Sequence, residues 1–224
     1  MLDLTKGEQI RAVAETVGQV MGHDGHLVAL VNNAGAMLAG PVESIPEDHA
    51  RKQFELLFFG PLLLTQAMLP FLREARGKVI NITSIGGIMP TPILGVYQAA
   101  KAALEALSDS LRMEVAPFGV HVVAIAPGAI RTPLLQKSGH AFGRIAAEMP
   151  EALRPLYESR LHAYEKTAAL ADRLATTPEK AARTILRAVR ARAPRPRYLI
   201  GLDARFLAYL KRNLPDRWMD RVML

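Results

Sequence analysis

Tyr97 and Lys101 stand four residues apart within Ile93 to Val115, a stretch whose apolar recurrence reads as a helix, so both side chains share one face. A free phenol titrates at about 10, and using it as a proton donor or acceptor near neutral pH asks for a depression of a few units, each about 1.4 kcal/mol. A lysine ammonium about 4 Å from the phenolate offers roughly 4 kcal/mol at an effective dielectric of about 20, so one lysine suffices in principle. Ser84 lies thirteen residues before Tyr97 and can hydrogen-bond a substrate oxygen while Tyr97 moves the proton. Each pair alone is commonplace on ordinary helices and loops. The chemistry rests on their joint placement.

That placement depends on the elements around them. Lys6 to Met21 reads as an amphipathic helix, and His26 to Val31 as a buried strand ended by Asn32-Asn33-Ala34-Gly35. Pro46 to Arg73 is helical, Lys78 to Thr83 is β-rich, and Val120 to Ala126 is a third apolar strand stopped by Pro127-Gly128. Arg131 to Thr176 is helix-like but irregular, which suits a mobile cover over a site. Pro178 to Ala191 is a helix, Arg197 to Ile200 a short strand, and Asp203 to Asn213 a closing helix. Strand and helix alternate, which predicts an α/β fold with a doubly wound, Rossmann-like parallel sheet in one domain over residues 1–224. In such a sheet ligands bind beyond the carboxyl ends of the strands. Asn33-Ala34-Gly35, Thr83-Ser84 and Pro127-Gly128 all stand there.

Composition excludes several other classes. Half of the 224 residues are hydrophobic, enough to fill a core, so overall disorder is not expected. The longest apolar stretch, Leu56 to Leu64, is broken by Gly60 and Pro61 and falls short of a membrane span. Cysteine is absent and the six histidines lack metal-ligand spacing, so no metal is expected. Met1 to Gly7 carries no secretory pattern, and the expected compartment is the cytoplasm. The net charge of +7 gathers late, between Arg183 and Arg221. A nucleic-acid or anionic-membrane face is one reading of it; a solvated surface with an oligomer rim is the reading favoured, since no nucleic-acid motif accompanies the charge.

Together the motifs resemble the short-chain dehydrogenase/reductase family. Asn32-Asn33-Ala34-Gly35 is similar to its N-N-A-G turn, Thr83-Ser84 to its serine, Tyr97-Gln98-Ala99-Ala100-Lys101 to its Y-x-x-x-K, and Pro127-Gly128-Ala129-Ile130-Arg131-Thr132 to its P-G-x-x-x-T. The resemblance implies that Tyr97 is the acid/base, that Lys101 lowers its pKa and binds the nicotinamide ribose, and that Ser84 orients the substrate. It implies NAD or NADP as cofactor, with Asn33, Ala34 and Gly35 along the adenosine ribose, Asp3 at the adenine, and Ile130 and Thr132 at the nicotinamide amide. The substrate it suggests is a small-molecule alcohol or ketone, steroid- or retinoid-like. Residues 131–176 would cover it. A homo-oligomer is implied through Pro46 to Arg73 and Ile93 to Val115.

Two departures from the pattern stand out. Leu57 occupies the place of the family's catalytic Asn, and leucine cannot hydrogen-bond a relay water. The T-G-x-x-x-G-x-G phosphate loop, with a pair of βα units of roughly 30 residues each, would precede Leu2 and is not in the sequence. The first-strand edge, Leu27 to Val31, is then expected to lack a neighbour. The rival expectation is an inactive, truncated member serving as a binding or oligomer partner.

Overall fold

The computed structural model describes residues 2–132, 143 and 148–223. Four strands, β1 (Ala29–Asn32), β2 (Lys78–Ile82), β3 (His121–Pro127) and β4 (Arg197–Ile200), pair in parallel in the order β1-β2-β3-β4. Alternate residues of the strands serve opposite faces. Val79 and Val122 pack with Ile10, Leu64, Met68, Leu72 and Val115, whereas Ile80, Val123 and Ile125 pack with Ile185, Ala188 and Val189. The first set belongs to α1 (Gly7–Met21), α3 (Gly60–Glu74) and α4 (Gly95–Val115), the second to α6 (Pro178–Arg190). The sheet is therefore covered on both sides, which is why its strands read as continuous apolar runs.

Local chemistry sets the helix boundaries. The hydroxyl of Thr177 accepts from the Lys180 amide at the start of α6, Pro178 supplies a preset φ, and Arg187 and Arg190 occupy the last turn. α2 (Glu47–Phe54) runs into α3 through a π-turn, Glu55–Phe59. Pro61 lacks the N–H that would bond the Leu57 carbonyl, so the regular ladder breaks where the π-turn lies. By length and composition Glu47–Glu74 is long and apolar enough to cross a membrane. Here Leu64, Met68 and Leu72 are buried beneath the sheet, the part of a core helix.

Several boundaries differ from the sequence expectation. β1 starts at Ala29, three residues after His26, and among the described residues its partner lies on one side only, leaving Val31 39% exposed. Part of the stretch expected to be irregular forms a continuous helix, α5 (Arg154–Leu174); residues 133–142 and 144–147 lie outside the described residues. After α7 (Leu202–Asn213) comes α8 (Asp216–Met223), which the sequence reading left unassigned.

Candidate active site

The carboxyl ends of all four strands open onto one cavity of about 970 Å³. Asn33, Ala34 and Gly35 line it after β1, Thr83 and Ser84 after β2, Pro127 to Ile130 and Thr132 after β3, and Ile200 at the end of β4. Its remaining wall is largely apolar: Met37, Met89, Ile93, Leu94, Ile185 and Leu207, with Tyr164 and Ala168 of α5 across the opening. The expected cofactor and catalytic positions thus share one wall, with one exception. Asp3 does not line the cavity; its carboxylate accepts from the Thr5 amide (2.9 Å) and hydroxyl (2.7 Å) just ahead of α1.

Tyr97 and Lys101 are both buried on α4, 9% and 6% exposed. Tyr97 and Ser84 line the same cavity, and Ser84 Oγ accepts from the Gly86 amide at 3.1 Å. Lys101 Nζ donates to the Ile82 carbonyl at 2.7 Å. Burial pushes the phenol above its ordinary value and the nearby Ser84 hydroxyl draws it partly back. The expected depression by Lys101 is absent from this geometry, because the ammonium is directed to a backbone carbonyl at the end of β2. Burial also lowers Lys101, to about 8, while the Glu105 carboxylate opposes the fall. At neutral pH the pair is therefore a neutral phenol and an ammonium.

A polar network that sequence reasoning missed holds this helix in place. Glu105, 6% exposed, accepts from the Thr83 hydroxyl at 2.5 Å and from Arg197 Nε at 2.8 Å, and Arg197 also reaches Asp109 at 3.0 Å. Deeper in, Asn32 donates to Asn81 (2.7 Å) and to Thr65 (3.0 Å), and Asn81 donates to Ser108 (2.8 Å). These bonds tie β1, β2, α3 and α4 together beneath the cavity, and buried groups left unpaired there would cost about 1–3 kcal/mol each. The available signal was spacing: Glu105 and Ser108 fall four and seven residues after Lys101, on its helix face.

Two glycines permit close approaches at the rim. A Cβ on Gly87 would stand 2.9 Å from the Lys101 carbonyl carbon, so the turn after Ser84 can lie directly on α4. A Cβ on Gly128 would collide with the Asp203 carboxylate, which accepts from the Ala129 amide at 2.7 Å and fixes the loop after β3. That loop is held from its other side by paired bonds between Ala129, Arg131 and Thr176. Leu57 is fully buried and packs with Tyr97 and Ala100, and its Cδ2 fills the space above Gly35.

The donor set fits the nicotinamide and ribose half of a dinucleotide. Small residues at Asn33-Ala34-Gly35 leave room against the backbone, and the buried ammonium of Lys101 and the hydroxyls of Ser84, Tyr97 and Thr132 supply polar partners on the same wall. Among the described residues no cluster of His, Asp or Glu suited to a metal ion occurs.

Residues 1–141 match the family model described as short chain dehydrogenase. The chain is 37% identical to retinol dehydrogenase 5 of Mus musculus over 229 residues, covering 100% of this chain and 71% of that protein. It is 31% identical to the NADPH-dependent 3-dehydrocapnine reductase of Ornithobacterium rhinotracheale, covering 99% and 77%. Among solved structures, a short-chain dehydrogenase from Streptomyces avermitilis superimposes with a TM-score of 0.75 at 34% identity, covering 99% of this chain and 74% of that one. A short chain dehydrogenase from Burkholderia cenocepacia in complex with NADP gives 0.74 at 22% identity, covering 100% and 77%, a likeness of fold.

Proposed function

This chain belongs to the short-chain dehydrogenase/reductase family of NAD(P)-dependent oxidoreductases, and from that premise we propose that it transfers hydride to or from a lipophilic alcohol or ketone at the cavity floored by Ser84, Tyr97 and Lys101. The observation that carries this reading is the convergence of Ser84, Tyr97 and Lys101 on one mostly apolar cavity at the carboxyl ends of the strands. Asn33, Ala34, Gly35, Ile130, Thr132 and Lys101 would hold the dinucleotide, which supplies or accepts the hydride when bound.

In the reduction direction the Ser84 hydroxyl donates to the substrate carbonyl and polarises it. As hydride reaches the carbon, the oxygen gains negative charge and takes the proton of Tyr97, so C=O becomes CH–OH and the phenolate recovers its proton from solvent. At neutral pH the buried phenol holds its proton, the form that reduction consumes, and the oxygen that hydride leaves negative is the stronger base that takes it. Lys101, charged below about pH 8 and bonded to the Ile82 carbonyl, lies on the same wall, where its ammonium would meet the nicotinamide ribose. Apolar walls exclude water from the carbonyl and strengthen each of these interactions.

An apolar site of this volume favours a bulky hydrocarbon skeleton, and the similarity to a protein named retinol dehydrogenase 5 points the same way. Within the segment expected to cover the substrate, α5 would do so through Tyr164 and Ala168, which line the cavity. Pairing of copies through the π-turn, α3 and α4 is proposed on Phe59, Leu63 and Met113 in turn, which are exposed there, and the proposed compartment remains the cytoplasm. The test is a series of ketones of growing apolar surface assayed with NADH and with NADPH. Efficiency should climb with apolar surface, by up to roughly tenfold for each pair of buried methylenes; a flat or falling series would remove the lipophilic assignment.

A further inference from the structure

The late arginines that the catalytic site does not use flank an unusual helix surface. On α7 the residues Leu202, Phe206 and Tyr209 recur at intervals of four and three, so they form one stripe, and they are 83%, 61% and 65% exposed. The buried residue of α7 is Ala204, on the opposite side. Arg205 and Arg212 border the stripe and are exposed. On α8 Trp218 is 59% exposed, with the Arg221 guanidinium 5.9 Å from its ring centroid. Asp203 accepts from the Ala129 amide and Asp216 pairs with Lys211 at 2.7 Å, while on α8 the exposed Asp220 is outnumbered by Arg217 and Arg221.

We propose that α7 and α8 form a peripheral docking surface for an anionic phospholipid bilayer, with Leu202, Phe206, Tyr209 and Trp218 entering the interfacial zone and Arg205, Arg212 and Arg221 meeting lipid phosphates. Aromatic rings with an apolar body and a polar tip are suited to that zone. Arginines beside them supply charge complementarity to acidic lipids. A second copy fits less well, because a two-fold self-contact would bring Arg205 and Arg212 of both copies onto the same patch, where like charges oppose each other. The same two helices contribute Leu207 and Met223 to the cavity wall, so docking would set the cavity beside a reservoir of apolar substrate.

Trp218 is the one tryptophan in the chain and reports the event directly. The protein is mixed with phosphatidylcholine vesicles made with and without phosphatidylserine, and both Trp218 emission and co-sedimentation are followed. A blue shift and co-sedimentation with the phosphatidylserine vesicles, weakened by salt, are expected. Replacing both arginines, Arg205→Gln with Arg212→Gln, should lower partitioning roughly 30-fold. Phe206→Ser with Tyr209→Ser should abolish the blue shift. All four positions lie outside the cavity lining, so cofactor binding in these variants serves as a check on folding. Unchanged emission and no co-sedimentation would overturn the proposal, as would self-association that the Phe206 and Tyr209 changes abolish without any vesicle effect. Neither failure touches the hydride-transfer reading, since the experiment contains no substrate.

Discussion

The Glu105 carboxylate lies one helical turn beyond Lys101 on α4 and opposes the burial that draws the lysine's pKa down, leaving it at about 8. Glu105 is itself held by the Thr83 hydroxyl and by Arg197 from β4. The charge state of a residue facing the cavity is thus tied to a strand at the far edge of the sheet.

Replacing Glu105 with Gln removes the negative charge that favours the ammonium and leaves Arg197 as an additional positive neighbour. Lys101 should then lose its proton at lower pH. The alkaline limb of the kcat/KM profile is expected to move to lower pH by roughly one unit, whereas Glu105→Asp should largely restore it. A merely structural role would lower activity at every pH and leave the limb in place, which would refute the coupling.

Lys101 has consequences for stability as well. Its ordinary pKa of 10.5 falls to about 8 in the folded protein, so between those values the unfolded chain holds a proton that the folded chain has released. Stability therefore rises with pH across that window, by up to about 3 kcal/mol from this group, and the rise is absent below about pH 8. Urea melts at a series of pH values should show the slope in the wild type and its loss in Lys101→Met. Equal slopes in both proteins would mean that the buried ammonium is not destabilised.

Leu57 fills the space between Tyr97, Ala100 and Gly35, where the family pattern has an Asn. Leu57→Asn places a buried amide among apolar neighbours and should destabilise the fold by about 2–4 kcal/mol. Turnover should fall with it as the packing beneath Tyr97 loosens. A lower denaturation midpoint checks the first effect; a stable variant with increased turnover would show that a polar relay was the missing part.

The chain's own pattern disclosed the strands and their ends because both are local: apolar runs set the strands, and glycine or proline stops them. β4 was read with its observed limits, Arg197–Ile200. The meeting of Ser84 with Tyr97 was also within reach, since the turn and the helix are adjacent in sequence. What escaped depended on distance along the chain or on competing forces. The Arg197–Glu105 bond joins residues 92 positions apart. The depression of the phenol assumed an ammonium facing it, and the Ile82 carbonyl takes that ammonium instead. α8 spans eight residues, about two turns, too few for a recurring pattern to be read, and the order of α5 depends on packing of Leu161 and Tyr164 against Ala39 and Ile93.

The proton carried by Tyr97 is the quantity on which the enzymatic reading depends. Measuring single turnover of a bound ketone with saturating NADPH in wild type and Tyr97→Phe, with cofactor affinity determined in parallel, isolates it. A loss of about 10²–10⁴-fold in turnover with affinity little changed is the result expected when one proton-transferring oxygen is removed. Turnover within a few-fold of wild type would contradict the role of Tyr97.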